Sequence, residues 1–151
     1  MSHPDYVISE LFTHAAPMIL IDTIDQYSED ALQTKVTITA ASPFLYGGSV
    51  PAYVGLEYMA QSVACFSGIR ARNADQPIRE GYLISTRRLS LNRQEFSLGE
   101  TLTIHVSLVH DFGDMSSFDC QVNKGETMLA NARLNVYQPL EFEGTNLREL
   151  G

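Results

Sequence analysis

The chain has 151 residues, of which 44% are hydrophobic and 19% charged, as expected for one globular domain with its own core. Ten basic and eighteen acidic residues give a net charge of −8, and an acidic surface repels nucleic acid and anionic membranes. No apolar run approaches the roughly 18 residues of a transmembrane helix, so no membrane span is expected.

The first twenty residues carry Asp5, Glu10 and two histidines. They lack the basic start and apolar run of a secretory signal peptide, so we expect a cytoplasmic protein. In that reducing compartment Cys65 and Cys120 are expected as free thiols in the core. We predict a single domain over residues 1–151, with a core at about 5–138 and a loosely held tail.

Three elements are predicted in the first part of the chain. Residues 5–12 place their apolar side chains on one face, which indicates a short helix. The apolar run at 18–24 is too short for a good helix and favours a strand. At residues 31–39 apolar side chains such as Leu32 and Val36 alternate with polar ones, which predicts a strand with one buried face.

A loop rich in glycine and proline at residues 41–51 precedes the one long predicted helix, residues 52–69. That helix is apolar nearly all round, so we expect it to be buried on most sides. Ala60, Ala64 and Gly68 lie four residues apart and are expected to form a groove that lets a sheet approach closely.

After a polar connection at residues 70–80, four further strands are predicted. They cover approximately residues 81–91, 102–108, 118–122 and 128–136. The turn at Asn123, Lys124 and Gly125 joins the last two into a hairpin. A single apolar helix needs cover on every side, and a curved antiparallel sheet wrapped around it supplies that cover. The sequence therefore predicts an α+β protein with the hotdog fold.

Four stretches of the sequence resemble FabZ-type 3-hydroxyacyl-carrier-protein dehydratases. They read LFTHAAPMILID at 11–22, SPFLYG at 42–47, PAYVGLEYMAQ at 51–61 and GYLISTRRLSLNRQEFSLGETL at 81–102. The resemblance extends over roughly residues 9–137, and within that family the sequence is most similar to the ApeP-like dehydratases of aryl polyene pigment pathways.

The resemblance places the acidic active-site residue of the family on Glu57, within the motif LEYMAQ. In apolar surroundings a carboxyl group favours its protonated form, which a general acid needs near neutral pH. The residues alone leave a second interpretation open, in which Glu57 is a structural carboxylate near the start of the helix.

The sequence departs from the family in the loop before the helix. The family carries a catalytic histidine there, in a Gly-His-Phe-Pro-Gly loop, whereas this chain reads Tyr46-Gly47-Gly48-Ser49-Val50-Pro51, with Gly48 in place of the histidine. His14 lies in a turn that the resemblance places beside the acyl tunnel, so we predict that it replaces the missing base. The alternative is a turn histidine bonded to the backbone.

The predicted substrate-binding residues are Pro17, Tyr46, Gly47, Gly48, Ala52 and Tyr53. Free N–H groups of Ala52 and Tyr53 at the helix start are expected to hold an oxyanion. The two glycines let the backbone approach a substrate or simply form a flexible loop. Tyr46 and Tyr53, together with Tyr58 and Tyr82, are assigned either to a tunnel for a conjugated acyl chain or to the core or an interface.

No metal is expected, because the four histidines and the carboxylates show no metal-ligand spacing. The dehydration that the resemblance implies needs no other cofactor either. His3 lies in the terminal segment. His105 is expected to be solvated, and His110 is expected to begin the turn at residues 110–114.

Three functions follow from these observations. The first is a dehydratase that converts a 3-hydroxyacyl thioester, carried on the phosphopantetheine arm of an acyl carrier protein, into a trans-2-enoyl thioester. The second is a hotdog thioesterase that uses Glu57 alone. The third is a non-catalytic hotdog subunit that partners an active dehydratase. Either a homodimer or a heterodimer is expected, and an acidic carrier would bind only where arginines or lysines gather locally.

Overall fold

One long helix, α1 (Gly55–Asn73), packs against an antiparallel sheet in this computed structural model, which describes residues 6–11, 18–79 and 81–139. Six strands form the sheet: β1 Thr23–Tyr27, β2 Ala31–Thr37, β4 Tyr82–Leu91, β6 Thr101–Asp111, β7 Met115–Lys124 and β8 Thr127–Tyr137. Their order across the sheet is β1-β2-β6-β7-β8-β4. A second sheet pairs β3 (Ser49–Pro51) with β5 (Glu95–Ser97). Short 3-10 helices cover Ile8–Leu11 and Ala52–Val54.

The apolar side of α1 forms the core with the inner face of the sheet. Met59 and Phe66 on the helix are fully buried, and the Phe66 ring meets Phe118 of β7 edge-on, with 5.5 Å between centroids. Leu102 and Ile104 of β6 alternate with outward polar residues and are also fully buried. Each such side chain stabilises the fold by about 1.5–3 kcal/mol. The predicted α+β hotdog fold is confirmed.

Short elements depart from the sequence prediction. The strand expected at 18–24 begins only at Thr23, because the backbone N–H of Leu20 bonds to a glutamine side chain of α1 rather than to another strand. Only Ile8–Leu11 of the helix expected at 5–12 is helical among the described residues. The strands β3 and β5 were not predicted, because three residues are too few to show alternation. The helix predicted at 52–69 begins at Gly55 and continues to Asn73.

Gly68 packs closely against the first 3-10 helix, not against the sheet as predicted. A Cβ atom at Gly68 would lie 2.5 Å from the carbonyl oxygen of Leu11, so this glycine admits the first 3-10 helix and not the sheet. Ala60 and Ala64, which share its side of α1, are only half-buried. The predicted groove against the sheet is therefore wrong.

The thiols of Cys65 and Cys120 are free and buried, as predicted. Burial raises the pKa of Cys65 to about 12, so this thiol stays protonated and unreactive near neutral pH.

None of the helices in the described part of the chain is long and apolar enough to cross a membrane.

The small sheet fixes the place where α1 begins. The N–H of Ala52 donates to the carbonyl oxygen of Gln94 at 2.9 Å, and the N–H of Leu98 donates to that of Gly48 at 3.0 Å. The Ser49 hydroxyl donates to Glu95 at 2.8 Å. Residues on both sides of β3 are therefore held by β5 and its flanks.

A buried carboxylate, Glu100, holds the chain after β5. Arg93 Nη1 donates to Glu100 Oε2 at 2.9 Å, Lys124 Nζ lies 2.8 Å from the same oxygen, and the N–H of Ser97 donates to Oε1 at 2.6 Å. The hydrogen bonds from Arg93, followed by those from Lys124 and Ser97, lower the pKa of Glu100 to about 2 against partial desolvation.

Because the folded state lowers this pKa from 4.5 to about 2, Glu100 stabilises the protein above pH 4.5 and loses that contribution as the pH falls towards 2. We expect the free energy of unfolding to fall by about 2–3 kcal/mol more in the wild type than in Glu100→Gln over this interval. Urea unfolding at a series of pH values measures this free energy, and Glu126→Gln, at an exposed position, is the control. Equal pH dependence in wild type and Glu100→Gln would contradict the assignment.

Candidate active site

The carboxylate of Glu57 lies in the first turn of α1, on the side that the sheet leaves uncovered. Tyr53, four residues earlier, is exposed on the same side, and Leu56 and Ala60 beside it are half-buried. The predicted apolar surroundings of Glu57 are wrong for the single chain, where its side chain is exposed. An all-apolar sequence pattern could not show which side of the helix the sheet covers.

The side chain of Gln61 connects Glu57 to the residues before β1. Gln61 Nε2 donates to Glu57 Oε1 at 3.1 Å and to the carbonyl oxygen of Met18 at 2.7 Å. Its Oε1 accepts the N–H of Leu20 at 2.8 Å. Sequence analysis did not identify Gln61 as a functional residue, although its spacing of four from Glu57 on one helix was a usable signal.

Two predicted site residues, His14 and Pro17, lie outside the described residues. The described chain resumes at Met18, four positions after His14. The pairing of His14 with Glu57 therefore stays a prediction.

The loop before α1 forms a tight turn at the position where the resemblance places the histidine of FabZ-type dehydratases. The N–H of Tyr46 donates to Ser49 O at 2.8 Å, the N–H of Ser49 donates to Tyr46 O at 3.3 Å, and the two glycines between have φ of 60° and 84°. A side chain at Gly48 would force an L residue into the left-handed region, at about 1–2 kcal/mol. The turn geometry thus disfavours a histidine at Gly48.

The two predicted oxyanion donors differ in the structure. The N–H of Ala52 is not free, because it donates to Gln94 O at 2.9 Å. For the N–H of Tyr53 no partner is found within the described part of the chain. Of the two predicted donors, only the N–H of Tyr53, four residues before Glu57, is therefore without a partner among the described residues.

The four tyrosines differ in exposure within the described chain. Tyr46, Tyr53 and Tyr82 are exposed, whereas Tyr58 is buried and lines a cavity of about 220 Å³ together with Asp22 and Ser42. Burial, followed by the nearby carboxylate of Asp22, raises the pKa of Tyr58 to about 12. The phenol of Tyr58 therefore stays neutral near pH 7 and is not a general base there.

A basic depression of about 370 Å³ lies on the outer face of the sheet and was not predicted. It is lined by Arg87, Arg88, His110, Ser117, Arg133 and Asn135. Arg87 lies opposite Arg133 in the pairing of β4 with β8, so like charges face each other. His110 is exposed, whereas His105, which was expected to be solvated, is half-buried in β6. The consecutive residues Arg87 and Arg88 were the sequence feature that could have indicated this basic depression.

Arg133 of the basic depression forms an ion pair with Asp119 at 2.8 Å. For Arg87 and Arg88 no carboxylate lies within 4.0 Å among the residues that the structure describes. The depression therefore carries uncompensated positive charge on a chain whose net charge is −8.

Comparisons with known proteins give one family and several solved structures. The ApeP-like family, described as ApeP dehydratase, matches residues 6–146. A structure of the dehydratase heterocomplex ApeI:P from Xenorhabdus doucetiae is similar at 28% identity and a TM-score of 0.84, covering 96% of this chain and 95% of that chain. No curated protein matches the sequence.

More distant structures share the fold. A hypothetical thioesterase with coenzyme A from Streptococcus pneumoniae has 13% identity and a TM-score of 0.61, covering 77% of this chain and 84% of that chain. The PaaI protein from the phenylacetic acid degradation operon of E. coli has 18% identity and a TM-score of 0.59, with 78% and 82% covered. At these identities the similarity shows the fold alone.

Proposed function

Because the chain belongs to the ApeP-like dehydratase family, we propose that it eliminates water from a 3-hydroxyacyl thioester to give a trans-2-enoyl thioester. The family match over residues 6–146 carries this proposal, and it confirms the resemblance seen in the sequence. We place the reaction on the uncovered side of α1, because Glu57 and the N–H of Tyr53 lie there, four residues apart in the sequence.

In the proposed reaction His14 removes the proton from the carbon next to the thioester carbonyl. The Tyr53 N–H donates to the carbonyl oxygen as negative charge develops on it. Glu57 then protonates the 3-hydroxyl group as its carbon–oxygen bond breaks, so that water leaves and the double bond forms. The thioester bond stays intact throughout.

A thioesterase is the second candidate. Glu57 is the carboxylate on the uncovered side of α1, and no histidine of the described chain lies on that helix. In this alternative Glu57 activates a water molecule that attacks the thioester carbonyl, releasing a free acid and a thiol. The products therefore distinguish the two reactions.

We propose a second hotdog subunit as the partner of this chain, a copy of itself or a related subunit. β4 is at the edge of the sheet and exposes Tyr82, Leu83, Ile84, Leu89 and Leu91. Unpaired strand edges with apolar side chains readily pair with another strand. The similar ApeI:P structure is a heterocomplex, which supports a partner of the same fold. A non-catalytic role beside an active partner is the third hypothesis.

The proposed substrate carrier is an acyl carrier protein that docks its acidic surface in the basic depression. Most of this chain would repel such a carrier, because its net charge is −8. Arg87 and Arg88 supply the local positive charge that docking requires. Since these arginines lie on β4, the carrier would bind beside the proposed subunit interface.

Glu57→Gln keeps the shape of the side chain but cannot donate an acid proton, so we expect dehydration to slow about 10²–10⁴-fold. His14→Ala should slow it by a comparable factor, and the double variant by no more than either single one. Mass spectrometry of the carrier-bound acyl group measures loss of water and release of acid separately. Full activity of Glu57→Gln would defeat both enzymatic proposals; full activity of His14→Ala with an inactive Glu57→Gln would favour the thioesterase.

Ile84→Asp places a charge on the exposed edge strand and should dissociate the protein from dimer to monomer at micromolar concentration. Light scattering after size-exclusion chromatography measures the mass, alone and after co-expression with a candidate hotdog partner. Val7→Asp, an exposed apolar residue outside β4, is the matched control. An unchanged dimer of Ile84→Asp, or a monomeric wild type in both settings, contradicts the interface.

Replacing Arg87 and Arg88 together by serine should raise KM for a carrier-bound substrate about 3- to 10-fold, as expected for two exposed charge pairs. The kcat value, and all kinetics with a thioester on a short pantetheine mimic, should not change. Arg70→Ser is the control, since Arg70 already pairs with Asp111 at 3.3 Å. An equal loss of kcat/KM with the carrier-bound substrate and with the mimic would contradict a role of the two arginines in carrier docking.

A further inference from the structure

A β-bulge interrupts the pairing of β4 with β8 at Arg88. Two residues of β4, Arg88 and Leu89, lie opposite a single residue of β8, Ala132. Arg88 has a φ of 56°, which lies in the left-handed region that bulges of this kind usually fill with glycine. An arginine is therefore held here in a conformation that strains its backbone.

The bulge also determines on which face of the sheet the Arg88 side chain lies. Consecutive side chains of a regular strand point to opposite faces, yet Arg87 and Arg88 both line the basic depression on the outer face. Neither has a carboxylate within 4.0 Å in the described chain, so no ion pair offsets the strain or the repulsion between the two guanidinium groups. Strain without a structural return points to a function of the side chain.

The floor of the depression presents further hydrogen-bond donors. Ser117 Oγ donates to Asn135 Oδ1 at 2.6 Å, and Asn135 Nδ2 donates to Ser85 Oγ at 2.7 Å, which leaves the second N–H of that amide for a ligand. Arg133 donates through Nε and Nη2 to Asp119, and its Nη1 has no partner among the described residues. None of the residues that line the depression carries a carboxylate.

This set of donors suits a phosphate group. Guanidinium groups bind phosphate oxygens in bidentate pairs, and one tetrahedral anion can accept hydrogen bonds from several of them. An acidic protein surface carries separate carboxylates, which unstrained arginines spaced along the edge strand would match equally well. The bulge instead brings two guanidinium groups into one concave site of about 370 Å³, which favours a single compact anion.

We propose that the basic depression is a binding site for a phosphate group and that the bulge at Arg88 completes it. The ligand is the phosphodiester that joins the pantetheine arm to its carrier, and this assignment rests on the proposed function. The site thereby recognises a carrier that bears the arm, in addition to the acidic surface of any carrier. Free inorganic phosphate has the same chemistry, so the experiment separates the two sources.

The test compares two forms of an acyl carrier protein, one with the phosphopantetheine arm and one with the unmodified serine. Calorimetry measures the affinity of each form for the wild type and for Arg88→Gly. The substitution should weaken binding of the form with the arm about 3- to 10-fold and binding of the unmodified form less than about 2-fold, because only the first form offers a phosphate. In parallel, inorganic phosphate should raise the melting temperature of the wild type, relative to chloride at equal ionic strength, and not that of Arg88→Gly.

Two substitutions at Arg88 separate the strain from the charge. Arg88→Gly removes both and should raise the melting temperature in chloride by about 2–4 °C. Arg88→Ala removes the charge but keeps a side chain in the left-handed region, so it should gain less stability while weakening phosphate binding equally. Arg70→Ala is the control for binding, since Arg70 is an exposed arginine that pairs with Asp111 at 3.3 Å.

An equal effect of Arg88→Gly on both carrier forms, with no effect of inorganic phosphate, overturns the phosphate site and leaves carrier docking standing. A lower melting temperature of Arg88→Gly than of the wild type overturns the argument from strain on which the site rests. Stabilisation by inorganic phosphate that depends on Arg88, without a difference between the carrier forms, supports the site with free phosphate as its ligand. Full dehydration by Glu57→Gln defeats the proposed function without changing any of these binding results, so the two failures are distinguishable.

Discussion

The burial of one side of α1 against the six-stranded sheet orients the side chains that this helix contributes to the candidate site. With Met59 and Phe66 fixed in the core, Glu57 must lie on the opposite, uncovered side of the helix. The small sheet of β3 and β5 fixes where the helix begins, and Gln61 lies at the border between the buried and the uncovered side. Position and chemistry of the site therefore follow from the packing of one helix.

The edge strand β4 combines two surfaces that the proposed function requires. Its outward face carries Arg87 opposite Arg133, and its inward face carries Leu83 opposite Val136. Apolar exposure at a sheet edge favours a second subunit, whereas Arg87 and Arg88, which have no carboxylate partner among the described residues, favour an acidic carrier. A second subunit on this edge would bring the carrier surface close to the subunit interface. Burial by that subunit would also desolvate whatever part of the uncovered side of α1 it contacts.

The sequence predicted those parts of the fold that have a strong periodic pattern. Alternation at Leu102, Ile104 and Val106 identified β6, and the apolar run identified α1, because both patterns repeat many times. Strands of three residues show no period and were missed. The free N–H assigned to Ala52 and the burial assigned to Glu57 were wrong because both depend on contacts made far along the chain. The contacts of Gln61 were not predicted for the same reason, because its partners Met18 and Leu20 are distant from it in the sequence.

The most direct measurement of the central claim is a crystal structure of the assembled protein with a stable 3-hydroxyacyl amide in place of the thioester. The account predicts that Glu57 Oε2 lies within about 3 Å of the 3-hydroxyl group, the distance needed for proton transfer. It also predicts that the Tyr53 N–H faces the carbonyl oxygen. A 3-hydroxyl group remote from Glu57, with the carboxylate facing the carbonyl carbon through a water molecule, would contradict the dehydratase mechanism.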